Sequence, residues 1–473
     1  MKVPPDAEHF AGGGVMRAAL VYPYRKRDSS GCNPPLSLLY LAASLEKAGH
    51  DVLVVDSDDG DLTHQGILKR LVSYSPDVVG LPIYTTNLAA AYRLATLLGS
   101  EDFGWELLLG GPHVTARPQE VLESFTGCKY ALRGECETTI VEFMEFLEGR
   151  HDPTSVEGLS YRDNGNIIHY GGVPLERDLD SVSFPARNLL ADAYKRNIYW
   201  RIGHRGATDV IITSRGCPYD CNFCFQISRK FRLRSPENIL EELIHIRSMG
   251  IKNVHMMDDL FVWDKERCLR ILQMIREQKL GMEFKVRARV DLIDDDLLAA
   301  MKETGVVSVV YGIESGSQKI LDLMNKRTTV EMNYRAIEMT KRHGLQAYAD
   351  AFIGYPGETP ETIEETRNLL VKARPTAVNL SVMYPLPNTT VYDQTKADGT
   401  MIGDWDVKGT RPWIKLPWTE NLGQLWAYRA EVERSFLHNP VVIFNILRTL
   451  AFKISLRQIR LLATDYLKRI SVR

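Results

Sequence analysis

Between residues 17 and about 149, short apolar runs alternate with longer segments whose apolar positions recur every three or four residues. The runs at 18–22, 52–55, 78–81, 107–109 and 130–132 read as buried strands, while Leu38, Leu41, Ala42 and Leu45, closed by Gly49, share one helix face. Five strands alternating with helices predict a doubly wound, Rossmann-like parallel sheet, which binds ligands at the carboxyl ends of its strands.

The pattern then changes twice. Residues 157–162 and 167–168 flank Asn164-Gly165, a β-hairpin signal. From 208 the alternation resumes, with strands expected at 210–212, 254–257, 284–288, 307–311, 347–353 and 377–383, and with helical spacing between them, as at Ile239, Leu243, Ile246 and Met249 before Gly250. Six units cannot close an eight-stranded barrel and predict a partial (β/α)6 barrel with an open side. Past residue 396, Trp405, Trp413, Trp418 and Trp426 lie among prolines, and apolar residues return at helical spacing from Phe436, which predicts a C-terminal helical region. The expected α/β organisation is a sheet domain at 15–149, a connector at 150–207, a barrel at 208–395 and the helical region at 396–473.

The 473 residues exceed one ordinary domain, and an apolar fraction of 44% supplies large cores. A net charge of −2 gives no reason to expect a nucleic-acid partner. Seven cysteines with three clustered do not resemble a disulfide framework and suit a reducing cytosol. Residues 1–14 are too polar for a signal peptide, and no apolar run reaches transmembrane length, so the expected location is cytoplasmic.

The chemistry concentrates in Cys217-Pro-Tyr-Asp-Cys221-Asn-Phe223-Cys224, which follows the run 210–212 and Gly216 and so falls on a loop past a strand end. Three thiols are one short of a closed zinc or iron–sulfur site, and Cys32, Cys128, Cys136 and Cys268 are remote in sequence. Either folding supplies a fourth ligand or an open coordination position is used; a zinc knuckle or buried thiols are the plainer alternatives.

At every position the loop resembles that of the radical S-adenosylmethionine (SAM) enzymes, with Phe223 as the aromatic residue. The resemblance implies a 4Fe-4S cluster on Cys217, Cys221 and Cys224, with SAM chelated at the remaining iron and cleaved to a 5′-deoxyadenosyl radical. It further implies SAM contacts at Asp258 or Asp259 after the second barrel strand and at Arg287 or Arg289 on the third. Glu314 and Ser315 after the fourth strand, Ile353 and Gly354 on the fifth, and Tyr384 after the sixth complete that implied set. For Asp258-Asp259 site contact is the favoured reading, with a helix cap as the plainer alternative, and Thr359 has the cap of the helix after Gly357 as its plainer alternative. A buried Glu314 needs a partner, which favours a functional reading.

The first sheet's loops, with Tyr84 and Thr85, then Gly110-Gly111-Pro112-His113, then Gly134-Glu135, resemble the cobalamin-binding domain that precedes the barrel in one large class of these enzymes. The Asp-x-His-x-x-Gly run that carries a lower cobalt ligand in other cobalamin domains is missing, and His113 reads as a residue that shapes its loop. The implied function is that of a cobalamin-dependent radical SAM enzyme, with C-methylation of an unactivated carbon expected first. Oxidative cyclisation, ring contraction, dehydration and epimerisation are the alternatives. Expected partners are a small-molecule substrate, lipid-like or cyclic, and a one-electron donor such as flavodoxin or ferredoxin. The basic C-terminal helices, with Arg448, Lys453, Arg457 and Arg460, either touch an anionic membrane or pack on the barrel.

Overall fold

The structure, a computed structural model, describes residues 14–23, 31–59, 62–201, 204, 206–438, 440 and 442. The basic segment from 443 onward, whose membrane contact the sequence suggests, lies outside them, as do residues 24–30. The described chain divides into two compact units, the first built from 14–23, 34–198 and 405–410, the second from 31–33, 199–404 and the residues from 411.

The first unit contains β1 (Arg17–Tyr22), α1 (Leu36–Lys47), β2 (Asp51–Asp56), α2 (His64–Tyr74), β3 (Val78–Pro82), α3 (Leu88–Leu98), β4 (Glu106–Gly110), β5 (Tyr130–Leu132), α4 (Thr139–Leu147), β6 (Leu159–Asp163) and β7 (Asn166–His169). Strand order is β2-β1-β3-β4-β5-β6-β7. The first five strands run parallel, and the order reverses between β1 and β3, where doubly wound sheets open a crevice. The hairpin predicted at 157–168 joins this sheet, its first strand pairing antiparallel with β5, so the sheet is mixed and seven-stranded instead of five-stranded and parallel. One core cluster is drawn from the strands and helices together, including Val21, Val79, Leu81, Leu94, Leu107 and Leu109. Trp405 and Val407, from far along the chain, pack against it.

The second unit contains β8 (Thr208–Ile211), α5 (Pro236–Ser248), β9 (Asn253–Met256), α6 (Lys265–Glu277), β10 (Glu283–Ala288), α7 (Asp295–Thr304), β11 (Val306–Glu314), α8 (Val330–Arg342), β12 (Gln346–Ile353), α9 (Pro360–Ala373), β13 (Ala377–Val382) and α10 (Leu422–Leu437). The six strands pair in chain order and in parallel, an open partial barrel. Helix starts are set locally: Ser235, Asp264, Asp294, Thr329 and Thr359 each accept a bond from the amide three residues on, which satisfies a donor that a helix end leaves bare. On β12 every second residue is fully buried (Ala347, Ala349, Ala351 and Ile353), while Tyr348, Asp350 and Phe352 on the other face stay partly open. The apolar face lies under helices, and the polar face is left for a ligand.

β11 runs further than the sequence suggests, to Glu314, with a bulge after Gly312. Just beyond it the chain passes so close to α9 that a Cβ on Gly316 would lie 2.5 Å from the Thr366 Cα and 2.7 Å from the Glu365 carbonyl oxygen. Both neighbours are backbone and cannot swing aside. Gly316→Ala should therefore destabilise the iron-free protein by about 1–3 kcal/mol, the usual effect of overpacking, as read by urea unfolding; an unchanged midpoint would refute this.

Candidate active site and cofactor edge

The cysteine loop leaves the end of β8 under firm local control. Asp258, buried at the end of β9, accepts from the Thr213 amide, from the Thr213 hydroxyl at 2.5 Å and from the Ser214 amide at 3.0 Å. Burial still outweighs these donors and raises the Asp258 carboxyl to about 6. Gly216 has φ +83°, and a Cβ there would lie 2.5 Å from the Lys230 carbonyl oxygen, so only glycine makes this turn unstrained. The loop is clamped from the far side too. Asn222 donates to the Leu323 and Met324 carbonyls at 2.9 Å each, and Asp220 pairs with Arg327 at 2.9 Å.

Of the three thiols, Cys217 is buried, Cys221 half-buried and Cys224 open to solvent, and none forms a disulfide. They are near enough to bear on one another's ionisation. Although its residue surface is open, Cys224 is crowded by protein atoms, and that desolvation pushes its thiol up to about 12; burial also raises the Cys221 thiol, with Lys326 and Arg289 acting on it in the opposite direction. Among the described residues, no three Cys, His, Asp or Glu side chains converge so as to hold a single ion. Three thiols on one loop match the three protein-held irons of a 4Fe-4S cluster whose fourth iron stays open, so this donor set suits such a cluster.

Around the loop, the predicted SAM contacts separate into groups. Phe223 meets Phe352 edge to face, ring centroids 4.9 Å apart. Asp259 is accessible to water, yet it lies deep among protein atoms, as a group on the floor of a cleft does; burial raises its carboxyl and Arg287 opposes. Asp258, given the same expectation, has its oxygens engaged by Thr213 and Ser214 and serves to hold the loop. Arg287 pairs with Asp350 at 2.6 Å. Arg289 grips Asp291 at 3.0 Å, donates to the Lys326 carbonyl at 2.9 Å and covers the Tyr219 ring at 3.6 Å.

Glu314 has the partner that its burial demands, Lys326 Nζ at 2.7 Å, and adopts φ +57°, a conformation rare for a side chain of its kind. Ser315 is fully buried against Thr366 and the Ser317 amide, within the turn itself. Ile353, one of the implied SAM contacts, lies on the buried, helix-covered face of β12; Phe352 holds the open position. Gly354 adopts φ +91° and donates its amide to Glu358, which is buried with its second oxygen unpartnered. Tyr384 is half-buried with the Arg411 guanidinium 5.8 Å from its ring centroid. Thr359 caps α9, its side chain accepting from the Thr362 amide.

In the first unit the predicted cofactor loops leave neighbouring strands. Tyr84 stands at the switch point, its ring 6.2 Å from Tyr22 and its hydroxyl 3.2 Å from Ser37 Oγ. His113 is buried with Nδ1 3.0 Å from Thr85 Oγ1, so it ties the β3 and β4 loops together. Gly111 has φ +100°, and a Cβ would lie 2.9 Å from the Ile83 carbonyl oxygen; Pro112 then opens a short helical turn at Pro112–Ala116. Thr115 Oγ1 accepts from the Gly134 amide at 2.9 Å and donates to the Gly111 carbonyl at 3.1 Å. Glu135 accepts from the Glu176 amide at 2.9 Å and so anchors the segment after the hairpin. Gly110, Gly111 and Gly134 carry no side chain beyond Cα at this edge, and the backbone of Ile83 and Pro174 packs directly against Gly111 and Gly134.

Sequence reasoning missed several residues: Lys326, Tyr219, Asp350, Glu358, His255 and Lys285. Lys285 and Asp350 had left a trace, as charged residues at alternate positions of apolar strands.

Comparison with known proteins agrees with this geometry. Residues 211–370 match the radical SAM superfamily and residues 26–144 the B12 binding domain. An uncharacterized methyltransferase of Pyrococcus horikoshii is 30% identical over 442 residues, 91% of this chain and 93% of that protein. The anaerobic magnesium-protoporphyrin IX monomethyl ester cyclase of Rubrivivax gelatinosus is 27% identical over 392 residues, covering 80% and 70%. The cobalamin-dependent S-adenosylmethionine radical enzyme OxsB, solved with aqua-cobalamin and S-adenosylmethionine bound, superposes with a TM-score of 0.76 at 18% identity, covering 96% of this chain and 71% of that one. A thiol loop on a partial barrel defines the radical SAM class. With its B12 binding domain, the chain belongs to the cobalamin-dependent radical SAM enzymes, whose cofactors are a 4Fe-4S cluster, SAM and cobalamin.

Two outcomes check the site's electrostatics. Lys326→Met leaves the Glu314 carboxylate buried and unpaired, and it should cost about 3–5 kcal/mol in urea unfolding. The double variant Glu314→Gln, Lys326→Met should recover most of that loss; if it is as unstable as the single variant, the pair is not the cause. Burial also pushes Glu358 up to about 8 from an ordinary 4.5. Because the folded chain holds this proton more tightly than the unfolded one, the resulting stability is full below pH 4.5 and is lost as pH rises through about 8. Across the window from about pH 5 to 8, wild type should lose on the order of 4 kcal/mol relative to Glu358→Gln, and parallel pH profiles would refute the assignment.

Proposed function

We propose that this enzyme attaches a methyl group to an unactivated carbon of a small-molecule substrate. The observation that carries the reading is the joining, in one chain, of a backbone-lined B12 binding sheet to a barrel with a three-thiol loop. The near full-length likeness to a methyltransferase supports it over the cyclase alternative. When bound, the cluster and SAM supply hydrogen abstraction from an unactivated carbon, and cobalamin supplies a transferable methyl group.

The chain's own residues hold and orient. Cys217, Cys221 and Cys224 bind the cluster, Gln226 Nε2 stands 3.9 Å from the Cys224 sulfur, and Lys326 with Arg289 supplies positive charge beside Cys221. Asp259 offers a carboxylate to the SAM amino group from the cleft floor. The Gly354 turn presents backbone, kept in shape by Glu358, and Tyr384 presents a ring edge. Asp258 and Ser315 act through the loops they fix. In the first unit, Gly110, Gly111 and Gly134 give cobalamin close backbone approach, with Tyr84, Thr85, Pro112, His113 and Glu135 shaping that edge. We further propose a cytoplasmic setting with a flavodoxin or ferredoxin as electron donor, supported by seven cysteines all free in the structure. No helix among the described residues is long and apolar enough to cross a membrane.

Anaerobically reconstituted protein, supplied with cobalamin, reductant and methyl-labelled SAM in the presence of a small-molecule extract, should release S-adenosylhomocysteine together with 5′-deoxyadenosine and place label in one extract component. Alanine at any of the three cysteines should abolish 5′-deoxyadenosine formation. Production of 5′-deoxyadenosine without S-adenosylhomocysteine would reject methyl transfer in favour of cyclisation, dehydration or epimerisation.

A further inference from the structure

The chain that carries the thiols doubles back on itself. Ser214–Arg215 pairs antiparallel with Arg232–Leu233, so the cysteine loop closes a two-stranded ribbon. The Arg267 guanidinium ties the two arms together, donating to the Thr213 carbonyl at 2.7 Å and to the Arg234 carbonyl at 2.8 Å. The returning arm, residues 225–235, holds Arg229, Lys230, Arg232 and Arg234 and no acid. It lies directly on the thiol loop: a Cβ on Gly216, next to Cys217, would stand 2.5 Å from the Lys230 carbonyl oxygen and 2.9 Å from that of Ser228. Three aromatic rings lead from the surface into the same loop. Trp263, between β9 and α6, is 42% exposed, and its ring centroid lies 5.9 Å from that of Phe231 on the returning arm. It lies 5.7 Å from the ring of Tyr219, which stands between Cys217 and Cys221 in the sequence. Phe223 meets Phe352 on the open barrel face instead. The loop therefore has a ligand side at Phe223 and a surface side at Tyr219 and Trp263. An exposed tryptophan rimmed by cations has the composition of an interaction site, with Trp and Arg as its usual anchors.

The charges on this side are uneven. Arg234 is buried and paired with Glu242, and Arg232 has contacts of its own, so neither is counted. Arg229 and Lys230 are exposed, and neither side chain is ion-paired among the described residues. The neighbouring acids have other engagements. Asp220 pairs with Arg327 at 2.9 Å and Glu237 with Arg270 at 3.7 Å, and Asp264 caps α6 by accepting from the Arg267 amide at 3.0 Å. Asp259 bears on Cys224 and feels Arg287, as a group of the cleft floor. Glu266 is exposed in the first turn of α6, where the helix dipole favours it. What this surface lacks is a carboxylate for Arg229 and Lys230.

We propose that Arg229, Lys230 and Trp263 form the docking face for an acidic flavodoxin, the one-electron carrier that reduces the cluster. The assignment rests on the reading that a carrier protein of this kind is the electron donor, and it adds where the carrier sits and which charge it bears. Electron transfer falls steeply with distance, so a carrier must seat where little protein covers the cysteine loop. On this face the returning arm packs on the loop's own backbone, and Trp263 is one ring contact from Tyr219. Arg229 and Lys230 draw in the carrier's carboxylates and set its orientation, and Trp263 supplies the apolar anchor. Each docking moves one electron: the anionic FMN hydroquinone becomes the neutral semiquinone, no proton is exchanged, and the oxidised cluster takes up the electron. The ligand side at Phe223 stays clear for SAM and substrate.

The test uses the full chain with its cluster reconstituted, and an acidic FMN flavodoxin as the probe. Binding of the oxidised flavodoxin is measured by anaerobic calorimetry, and cluster reduction by its hydroquinone is followed by electron paramagnetic resonance. Wild type should bind, and more weakly as salt rises. Arg229→Glu with Lys230→Glu should weaken binding and slow reduction by about tenfold or more, and Trp263→Ala by about fivefold, while Arg229→Lys stays within about twofold of wild type. Reduction by dithionite, which needs no docking face, should be unchanged in every variant. A matching loss with dithionite would overturn the face, because the substitutions would then be damaging the cysteine loop itself. Flavodoxin binding and reduction unchanged in the charge-reversed variant would overturn it also and leave the carrier reading standing. Failure of wild type to bind flavodoxin, while dithionite still reduces the cluster, would refute the carrier reading and the face together. Binding of phosphatidylglycerol vesicles in place of flavodoxin would overturn the face in favour of a membrane contact.

Discussion

The second unit's chemistry depends on one buried carboxylate. Asp258, at the end of β9, gathers two amides and a hydroxyl from Thr213 and Ser214 at the end of β8. Three donors fix the direction in which the chain leaves the sheet, and the thiols follow from that direction within a few residues. A loop with free ends could not present three sulfurs to one rigid body without losing conformational entropy each time it did so. Here Asp258 holds its start, and Asn222 and Asp220 hold its middle against residues 323–327, so most of that loss has been incurred in folding.

The same segment explains the ion pairs nearby. Met324 and Leu323 receive the loop, and Lys326, two residues on, reaches Glu314 at the end of β11. An anion that would be prohibitively costly in isolation is thus balanced by a cation that also faces Cys221. The strained φ of Glu314 and the bulge before it are the local consequence: the strand must twist to bring this carboxylate over. Structure-holding and expected site-forming roles therefore overlap in a few residues: Asp258, Ser315 and Glu135 each hold a loop by hydrogen bonds.

The first unit works by omission of side chains. Gly111 and Gly134 are fixed as glycine by positive φ and by backbone within 3 Å of where a Cβ would stand, and the Thr85–His113 and Thr115–Gly134 bonds lock the edge between them. His113 is directed at Thr85 through Nδ1 and so ties the two loops together.

Much of this could be read along the chain. Apolar runs of strand length placed eleven parallel strands, because burial under helices on a parallel sheet demands continuous or alternating apolar residues, and Ser, Asp and Thr at helix starts mark local bonds that need no distant partner. The cysteine spacing was equally local: three ligands within eight residues state their chemistry without help from the fold. The pairing of groups far apart in sequence was another matter. That the hairpin joins the first sheet, that Lys326 answers Glu314, that Asp258 is consumed by Thr213, and that Ile353 turns away while Phe352 faces inward all depend on register and curvature. A strand's alternation tells which residues share a face, but not which face a helix will cover. His255 and Lys285 lie on strands 30 positions apart and come side by side only through the register of the sheet, because such a pairing is a property of distance in space.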